Sequence, residues 1–224
     1  MKRFLTLNAL TLCFLALFLA ALAGESVAGW KEYDQTQLSN GLAQLGYLSY
    51  LTSSAFAVDV VENWQSEYLQ FLLYIWVTVW LVQKGSTESK EPGQEGRESD
   101  QKQKVGRYAQ DDSPPWAKAG GWRTMVYSRS LGLVMGAIFV GSWFAQGVAG
   151  RAAYNADQLA NLADPVSLLS YMGSASFWNR TLQNWQSEFL AVASMSLFSI
   201  FLRQRGSPES KLVGSPHEAT GVSG

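Results

Sequence analysis

The amino-acid sequence predicts an all-α membrane protein with four transmembrane helices, arranged as two parallel two-helix repeats with short outer interfacial helices. Long apolar blocks, an internal repeat and an uneven distribution of positive charge support this prediction. The 224 residues are 47% hydrophobic and only 16% charged, whereas charged residues make up about a quarter of an average soluble domain. The apolar residues are concentrated in four blocks, at 4–23, 68–82, 131–145 and 189–202.

The first apolar block allows two interpretations. A basic start, an apolar run and the small residues of Ala21–Ala23 are also typical of a cleaved secretory signal peptide. The corresponding block of the second half lies inside the chain and cannot be a signal peptide, so the repeat favours a retained helix at 4–23. The sequence does not decide whether residues 1–23 are retained or cleaved.

Two segments of the sequence recur at a constant offset of 121 residues without a gap. Residues 63–90 match residues 184–211 at 13 of 28 positions, and upstream Gly29 corresponds to Gly150. Each unit therefore contains a helix, an outer loop, a second helix and a polar tail. Two crossings return the chain to its starting side, so both copies share one orientation. They would be related by a pseudo-twofold axis along the membrane normal.

The repeat divides the chain into four predicted parts. In chain order they are a first repeat at 1–90 with transmembrane helices at about 4–23 and 63–82, a flexible cytoplasmic linker at 91–122, a second repeat at 123–211 with transmembrane helices at about 129–149 and 184–202, and a disordered tail at 212–224. The linker and the tail have too few apolar side chains to offset the entropy lost on ordering. A regulatory or partner-binding role for the linker is the alternative.

Positive charge indicates the orientation in the membrane. Of the 17 Lys and Arg residues, 14 lie before the first block, between the second and third blocks or after the fourth, and the other three are Lys31, Arg151 and Arg180. Because Lys and Arg are enriched in cytoplasmic loops, we expect a multi-pass protein of the plasma (inner) membrane with both termini in the cytoplasm.

The repeated Asn-Trp-Gln-Ser-Glu motif is predicted to form the outer turns of the second and fourth helices. A helix over residues 68–82 would cover only about 22 Å, less than the hydrocarbon thickness of about 30 Å. In the motif, Asn can cap the helix, Trp suits the headgroup boundary, and Glu lies near the positive end of the helix dipole. The candidate functional or helix-pairing residues are Asn63, Trp64, Glu67, Asn184, Trp185 and Glu188.

The two motif glutamates allow a second hypothesis. Glu67 and Gln70 belong to a polar stripe at helical spacing, and ionisable groups within a membrane span suggest a function. The chain would then be a small channel or proton-coupled carrier, with Glu67 and Glu188 facing each other across the pseudo-twofold axis. Ala191 stands where the first copy has Gln70, so the stripe is broken in the second copy. This favours interfacial anchoring and helix pairing.

Small residues at intervals of about four predict close helix packing, since small side chains let helix backbones approach each other. They are Ala16, Ala20 and Gly24 on the first helix and Gly132, Gly136, Ala137, Gly141 and Ala145 on the third. The sequence leaves open whether they pack within one chain or between chains. Leucines at roughly helical spacing in the two outer loops predict short helices on the outer leaflet, with a lid over a pocket as the alternative.

Several classes of function are disfavoured by composition. Cys13 is the only cysteine and His217 the only histidine, which excludes an intramolecular disulfide, a multi-cysteine metal site and bis-histidine haem ligation. A net charge of −1 argues against nucleic-acid binding. No nucleophile–base pair stands out, so we expect no enzyme and no cofactor. The expected partners are the lipid bilayer and other membrane proteins or a second copy of the chain.

The repeated motifs resemble those of a family of bacterial membrane proteins known only as a domain of unknown function. The resemblance lies in Asn63–Gln70 with Gln83–Lys90, and in Asn184–Leu190 with Gln204–Lys211. It covers both halves of the chain, and the second copy departs from the pattern at Ala191. The resemblance implies a membrane topology and no established activity, and it favours a structural or partner-binding helical bundle of unknown biochemical activity.

Overall fold

The computed structural model describes residues 2–221, so the first residue of the predicted first repeat and the last three of the predicted tail lie outside the described part. Residues 2–221 form helices and connecting turns and contain no strand. The helices are α1 (Lys2–Leu7), α2 (Ala9–Ser39), α3 (Tyr47–Leu51), α4 (Ser54–Val77), α5 (Pro115–Lys118), α6 (Gly121–Tyr127), α7 (Ser130–Ala160), α8 (Leu168–Met172) and α9 (Ala175–Phe201), with one 3₁₀ turn at Gly106–Tyr108.

Among the described residues, α2 and α7 are the two helices that are long and apolar enough to cross a membrane. Each has 31 residues. Helices α4 and α9 have 24 and 27 residues but do not reach the same apolar character, since they include charged side chains such as Glu67 and Arg180. The fold is thus all-α with two candidate membrane-spanning helices, and the structure does not by itself support four.

Helices α4 and α9 begin about two turns before the motif asparagines. The Ser53 hydroxyl accepts a hydrogen bond from the Phe56 N–H, and the Ser174 hydroxyl accepts one from the Phe177 N–H, both at 3.2 Å. These serines cap the helix starts, because a side-chain oxygen satisfies one of the free N–H groups there. The predicted asparagine caps are therefore wrong: the motif lies within each helix.

The first compact unit contains the chain up to Val61 together with Ala145–Phe177. Its core includes Tyr50 and Tyr171, which are both buried. The Tyr50 hydroxyl lies against Gly29 and the Tyr171 hydroxyl against Gly150, where any larger side chain would overlap it. Each tyrosine thus fixes a short helix, α3 or α8, against a long helix of the same unit.

In this unit, the loops that follow α2 and α7 are attached to those helices by equivalent hydrogen bonds at positions 121 residues apart. An Asp34 carboxylate oxygen accepts a hydrogen bond of 2.9 Å from the Leu45 N–H. The Asn155 side-chain oxygen accepts one of 2.8 Å from the Val166 N–H. Each loop that follows a long helix is therefore attached to that helix through one side-chain oxygen.

The second compact unit contains Glu62–Phe144 and the chain from Trp178 onward. Within this unit, the N-terminal part of α7 packs on α4. A methyl group at Gly132 would lie 2.7 Å from the Trp76 indole nitrogen, and one at Gly136 would lie 3.6 Å from Leu72. These two glycines let the helix backbone approach large side chains of α4.

The predicted linker contains the 3₁₀ turn, α5 and the start of α6, and the predicted tail has definite contacts as far as residue 221. The Lys211 side chain is only 1% exposed. Its ammonium donates hydrogen bonds of 2.6, 2.9 and 3.2 Å to three backbone carbonyl oxygens, those of Gly85, His217 and Ala219. The Thr220 hydroxyl accepts a hydrogen bond of 2.9 Å from the Gly85 N–H. Hydrogen bonds between side chains and backbone groups therefore join residues 217–221 to the turn at Gly85.

Candidate functional site at the contact between α4 and α9

Polar contacts connect α4 and α9 within the second compact unit. From the N-terminal ends of the helices they are Arg180 Nε to Glu62 Oε2 at 2.6 Å, Trp185 Nε1 to Gln65 Oε1 at 2.8 Å, and Gln70 Nε2 to the Glu188 carbonyl oxygen at 3.4 Å. The residue numbers rise together on both helices. The two helices therefore run parallel along this contact.

The most deeply buried polar side chains of the contact are Gln65, Ser66 and Thr181, which are at most 2% exposed. Gln65 accepts the Trp185 hydrogen bond through its oxygen, and its Nε2 has no hydrogen-bond partner. A buried amide nitrogen without a partner carries a free-energy cost of about 1–3 kcal/mol. Sequence reasoning missed these residues because it followed the face that contains Asn63 and Glu67. The repetition of Gln65 and Ser66 in the second motif was the available signal.

The structure brings Glu67 and Glu188 close enough for their charges to repel each other. Glu67 is exposed and Glu188 is half-buried. The Ser66 hydroxyl, which donates a hydrogen bond of 2.9 Å to the Asn63 carbonyl oxygen, lies close to the Glu188 carboxyl group. The two predicted site glutamates are thus neighbours, with unequal access to solvent.

The other motif residues differ between the two helices. Trp64 is 42% exposed, while Trp185 is half-buried in the contact with Gln65. Asn63 is exposed, and the Asn184 amide donates a hydrogen bond of 3.2 Å to the Arg180 carbonyl oxygen in the preceding turn. The tryptophan of the second copy therefore lies in the helix contact, whereas the tryptophan of the first copy is exposed.

The predicted packing residues fall into three groups. Gly132 and Gly136 contact α4, as described above. A methyl group at Gly24 or Gly141 would meet no atom within 4 Å. The remaining predicted packing residues are exposed or half-buried: Ala16, Ala20, Ala137 and Ala145.

A cavity of about 300 Å³ lies beyond the motif, between α4 and α9. Its walls are pairs of positions 121 residues apart, Gln70 with Ala191, Phe71 with Val192 and Tyr74 with Met195. A fourth such pair, Glu88 with Glu209, adds two carboxyl groups from the turns that follow the helices. Sequence analysis placed Gln70 on a polar stripe but did not connect it to these glutamates.

The Glu88 carboxyl group lies close to the Glu209 carboxyl group and to the Tyr74 hydroxyl. Burial raises the pKa of Glu88, and the neighbouring Glu209 raises this pKa further. The surroundings of Glu88 therefore favour its protonated form.

Comparison with known proteins gives one result for the chain as a whole. A family model described as "Domain of unknown function (DUF6766)" matches residues 1–222. The chain belongs to this family. No curated protein and no solved structure matches it significantly. DUF6766 membership is consistent with the resemblance found in the sequence, and it assigns no activity to any residue.

Proposed function

We propose that this DUF6766 chain is a multi-pass protein of the plasma membrane with four crossings, formed by two parallel two-helix repeats. Helices α2 and α7 are the first helices of the repeats, and α4 and α9 are the second. The observation that carries the proposal is the parallel contact of α4 and α9 through their shared motif. Gln65 is fully buried in this contact and accepts a hydrogen bond from the partner helix, as expected for polar groups in a membrane span.

The function that this arrangement supports best is that of a non-enzymatic structural or partner-binding helical bundle. The Gln65–Trp185 hydrogen bond and the Glu62–Arg180 ion pair are used to join helices. The exposed Trp64 presents an aromatic surface on α4 to another protein or to a second copy of the chain. The distribution of Lys and Arg supports cytoplasmic termini.

Cysteine accessibility tests the four crossings. Cys13 is replaced by Ser, and single cysteines are introduced at four exposed positions: Lys31, Lys102, Asp157 and Arg205. A membrane-impermeant maleimide should label positions 31 and 157 in intact cells, and positions 102 and 205 only after permeabilisation. Labelling of position 102 in intact cells would contradict the proposal, because a chain with two crossings exposes this segment outside.

Photo-crosslinking tests partner binding. A photo-reactive amino acid at Trp64 should form a protein adduct in native membranes, because this side chain is exposed on α4. The same amino acid at the buried Gln65 is the matched control and should react within the chain. If position 64 gives adducts with lipid only, the partner-binding function is wrong.

The proximity of Glu67 and Glu188 favours a second candidate, a small channel or proton-coupled carrier. Liposomes containing the purified chain should then show proton flux that the double substitution Glu67→Gln and Glu188→Gln abolishes. Glu91→Gln is the control, because Glu91 is exposed and distant in sequence from the motif. Equal flux in the double variant and the unchanged chain would eliminate this candidate.

A further inference from the structure

The cavity between α4 and α9 exists because the two helices differ at equivalent positions. Gln70 and Phe71 of α4 correspond to Ala191 and Val192 of α9. Ala and Val are smaller than Gln and Phe, so the wall formed by α9 leaves space that the residues of α4 would fill. The volume of about 300 Å³ is at the lower end of the range for small-molecule sites.

The lining has two chemically different parts. Phe71, Val192 and Met195 provide apolar and polarisable surface, while Glu88 and Glu209 provide carboxyl groups at one end. Glu88 is half-buried and Glu209 is exposed, so the acidic end is accessible to solvent. A ligand can therefore enter past the carboxyl groups and place an apolar body against the wall.

We propose that this cavity binds an organic cation that carries one ammonium group and an apolar body. The carboxyl groups of Glu88 and Glu209 give this end of the cavity a negative potential that attracts the ammonium group. Tyr74 lines the same cavity, and its hydroxyl can accept a hydrogen bond from the ammonium group. The ring of Phe71 adds a cation–π or apolar contact, and the thioether of Met195 adapts to the shape of the ligand.

This site goes beyond the bundle function and requires neither Glu67 nor Glu188. An anion would be repelled by the carboxyl pair, and a neutral molecule of the same shape would gain only the apolar contact. Charge discrimination between molecules of equal shape is therefore the property that identifies the site.

Binding is measured by isothermal titration calorimetry on the purified full chain in a non-ionic detergent. The probes are butylamine, cyclohexylmethylamine and phenethylamine, each compared with the alcohol of the same carbon skeleton to correct for partition into the micelle. We expect at least one amine to bind at least tenfold more tightly than its alcohol. If no amine binds more tightly than its alcohol, the proposal is overturned.

Substitutions locate the binding. The double substitution Ala191→Gln and Val192→Phe gives α9 the residues of α4 and should weaken amine binding at least tenfold by filling the cavity. Ala193→Leu, which also introduces the residue of α4 but lies outside the lining, should leave binding unchanged. Amine binding that survives the double substitution, or is lost equally in the control, would overturn the proposal.

Charge is tested separately. Glu88→Gln combined with Glu209→Gln should reduce the preference for amine over alcohol to less than threefold, while Glu91→Gln preserves it. Circular dichroism of each variant confirms that the helices are retained. The cysteine-accessibility result is independent of this titration, so failure of the proposed topology and failure of the ligand site are distinguishable.

Discussion

The indole N–H of Trp185 donates a hydrogen bond of 2.8 Å to the side-chain oxygen of Gln65. The chain contains the Trp-Gln pair of the motif twice, once in each copy. In the other copy Trp64 is 42% exposed and Gln186 is exposed. The contact between α4 and α9 is therefore asymmetric. The tryptophan of the second motif binds the glutamine of the first, and equivalent side chains differ in burial.

Trp185→Phe should destabilise the fold. The substitution removes the hydrogen bond to Gln65, whose side chain is 0% exposed, and leaves its oxygen without this donor. We expect the free energy of unfolding to fall by about 1–3 kcal/mol, measured by SDS titration in mixed micelles with circular dichroism. Trp64→Phe should change it by less than about 0.5 kcal/mol. Equal losses in the two variants would contradict the asymmetric contact.

Gly150→Ala should destabilise the first compact unit. The new methyl group would overlap the Tyr171 hydroxyl, and overpacking of this kind costs about 1–3 kcal/mol. Adding Tyr171→Phe should recover part of the loss, because the overlapping oxygen is removed. Gly24→Ala meets no atom within 4 Å and should be neutral or slightly stabilising. The same SDS titration measures all three variants, and a neutral Gly150→Ala would disprove the close approach.

The carboxyl pair predicts a pH dependence of stability. Because the pKa of Glu88 is raised above its ordinary value of 4.5, the folded chain binds this proton more tightly than the unfolded chain. The contribution is complete below pH 4.5 and is lost as the pH rises through the folded-state pKa. Thermal unfolding between pH 4 and 8 should show this loss in the wild-type chain. The difference in Tm between wild type and Glu88→Gln should change across this window; a constant difference would argue against the raised pKa of Glu88.

Lys211→Met should release the segment at 217–221. The ammonium of Lys211 forms three hydrogen bonds to carbonyl oxygens, and hydrogen bonds to charged groups contribute about 1.5–3 kcal/mol each. Burial also lowers the pKa of Lys211, so raising the pH toward that pKa should weaken the same contacts. Hydrogen exchange of residues 217–221 should become at least tenfold faster in the variant. Lys90→Met is the comparison, because Lys90 donates to one carbonyl oxygen, that of Gly96; equal exchange in both variants would contradict the prediction.

The all-α fold and the family could be predicted from the sequence because apolar blocks and repeated motifs are local signals. The helix starts could not, since the charged and polar residues between Ser53 and Asn63 concealed the first turns of α4. Four membrane crossings remain a prediction that rests on charge distribution and the repeat. The packing role of Gly132 and Gly136 was visible from their spacing, but the partner on α4 was not.

The candidate site was only partly predictable for a different reason. The sequence identified Glu67 and Glu188, and the structure brings them together. The pair Glu88 and Glu209 was visible only as part of a repeated polar tail, because its meaning depends on contacts between distant segments.

The repeat also preserves a hydrogen bond whose donor differs between the two copies. Trp30 donates a hydrogen bond of 2.6 Å to the Leu45 carbonyl oxygen, and at the equivalent position Arg151 donates one of 2.9 Å to the Val166 carbonyl oxygen. The backbone acceptor is therefore kept, while the donor is an indole in one copy and a guanidinium in the other.

The attachment of Thr220 to Gly85 has a consequence for biosynthesis. The two residues are 135 positions apart, so the ribosome completes the earlier turn long before it makes the hydroxyl that the turn binds. The Gly221 N–H, which donates to the Ser86 carbonyl oxygen at 3.0 Å, is synthesised later still. The turn at Gly85 can therefore gain these two hydrogen bonds only after residues 220 and 221 have been synthesised.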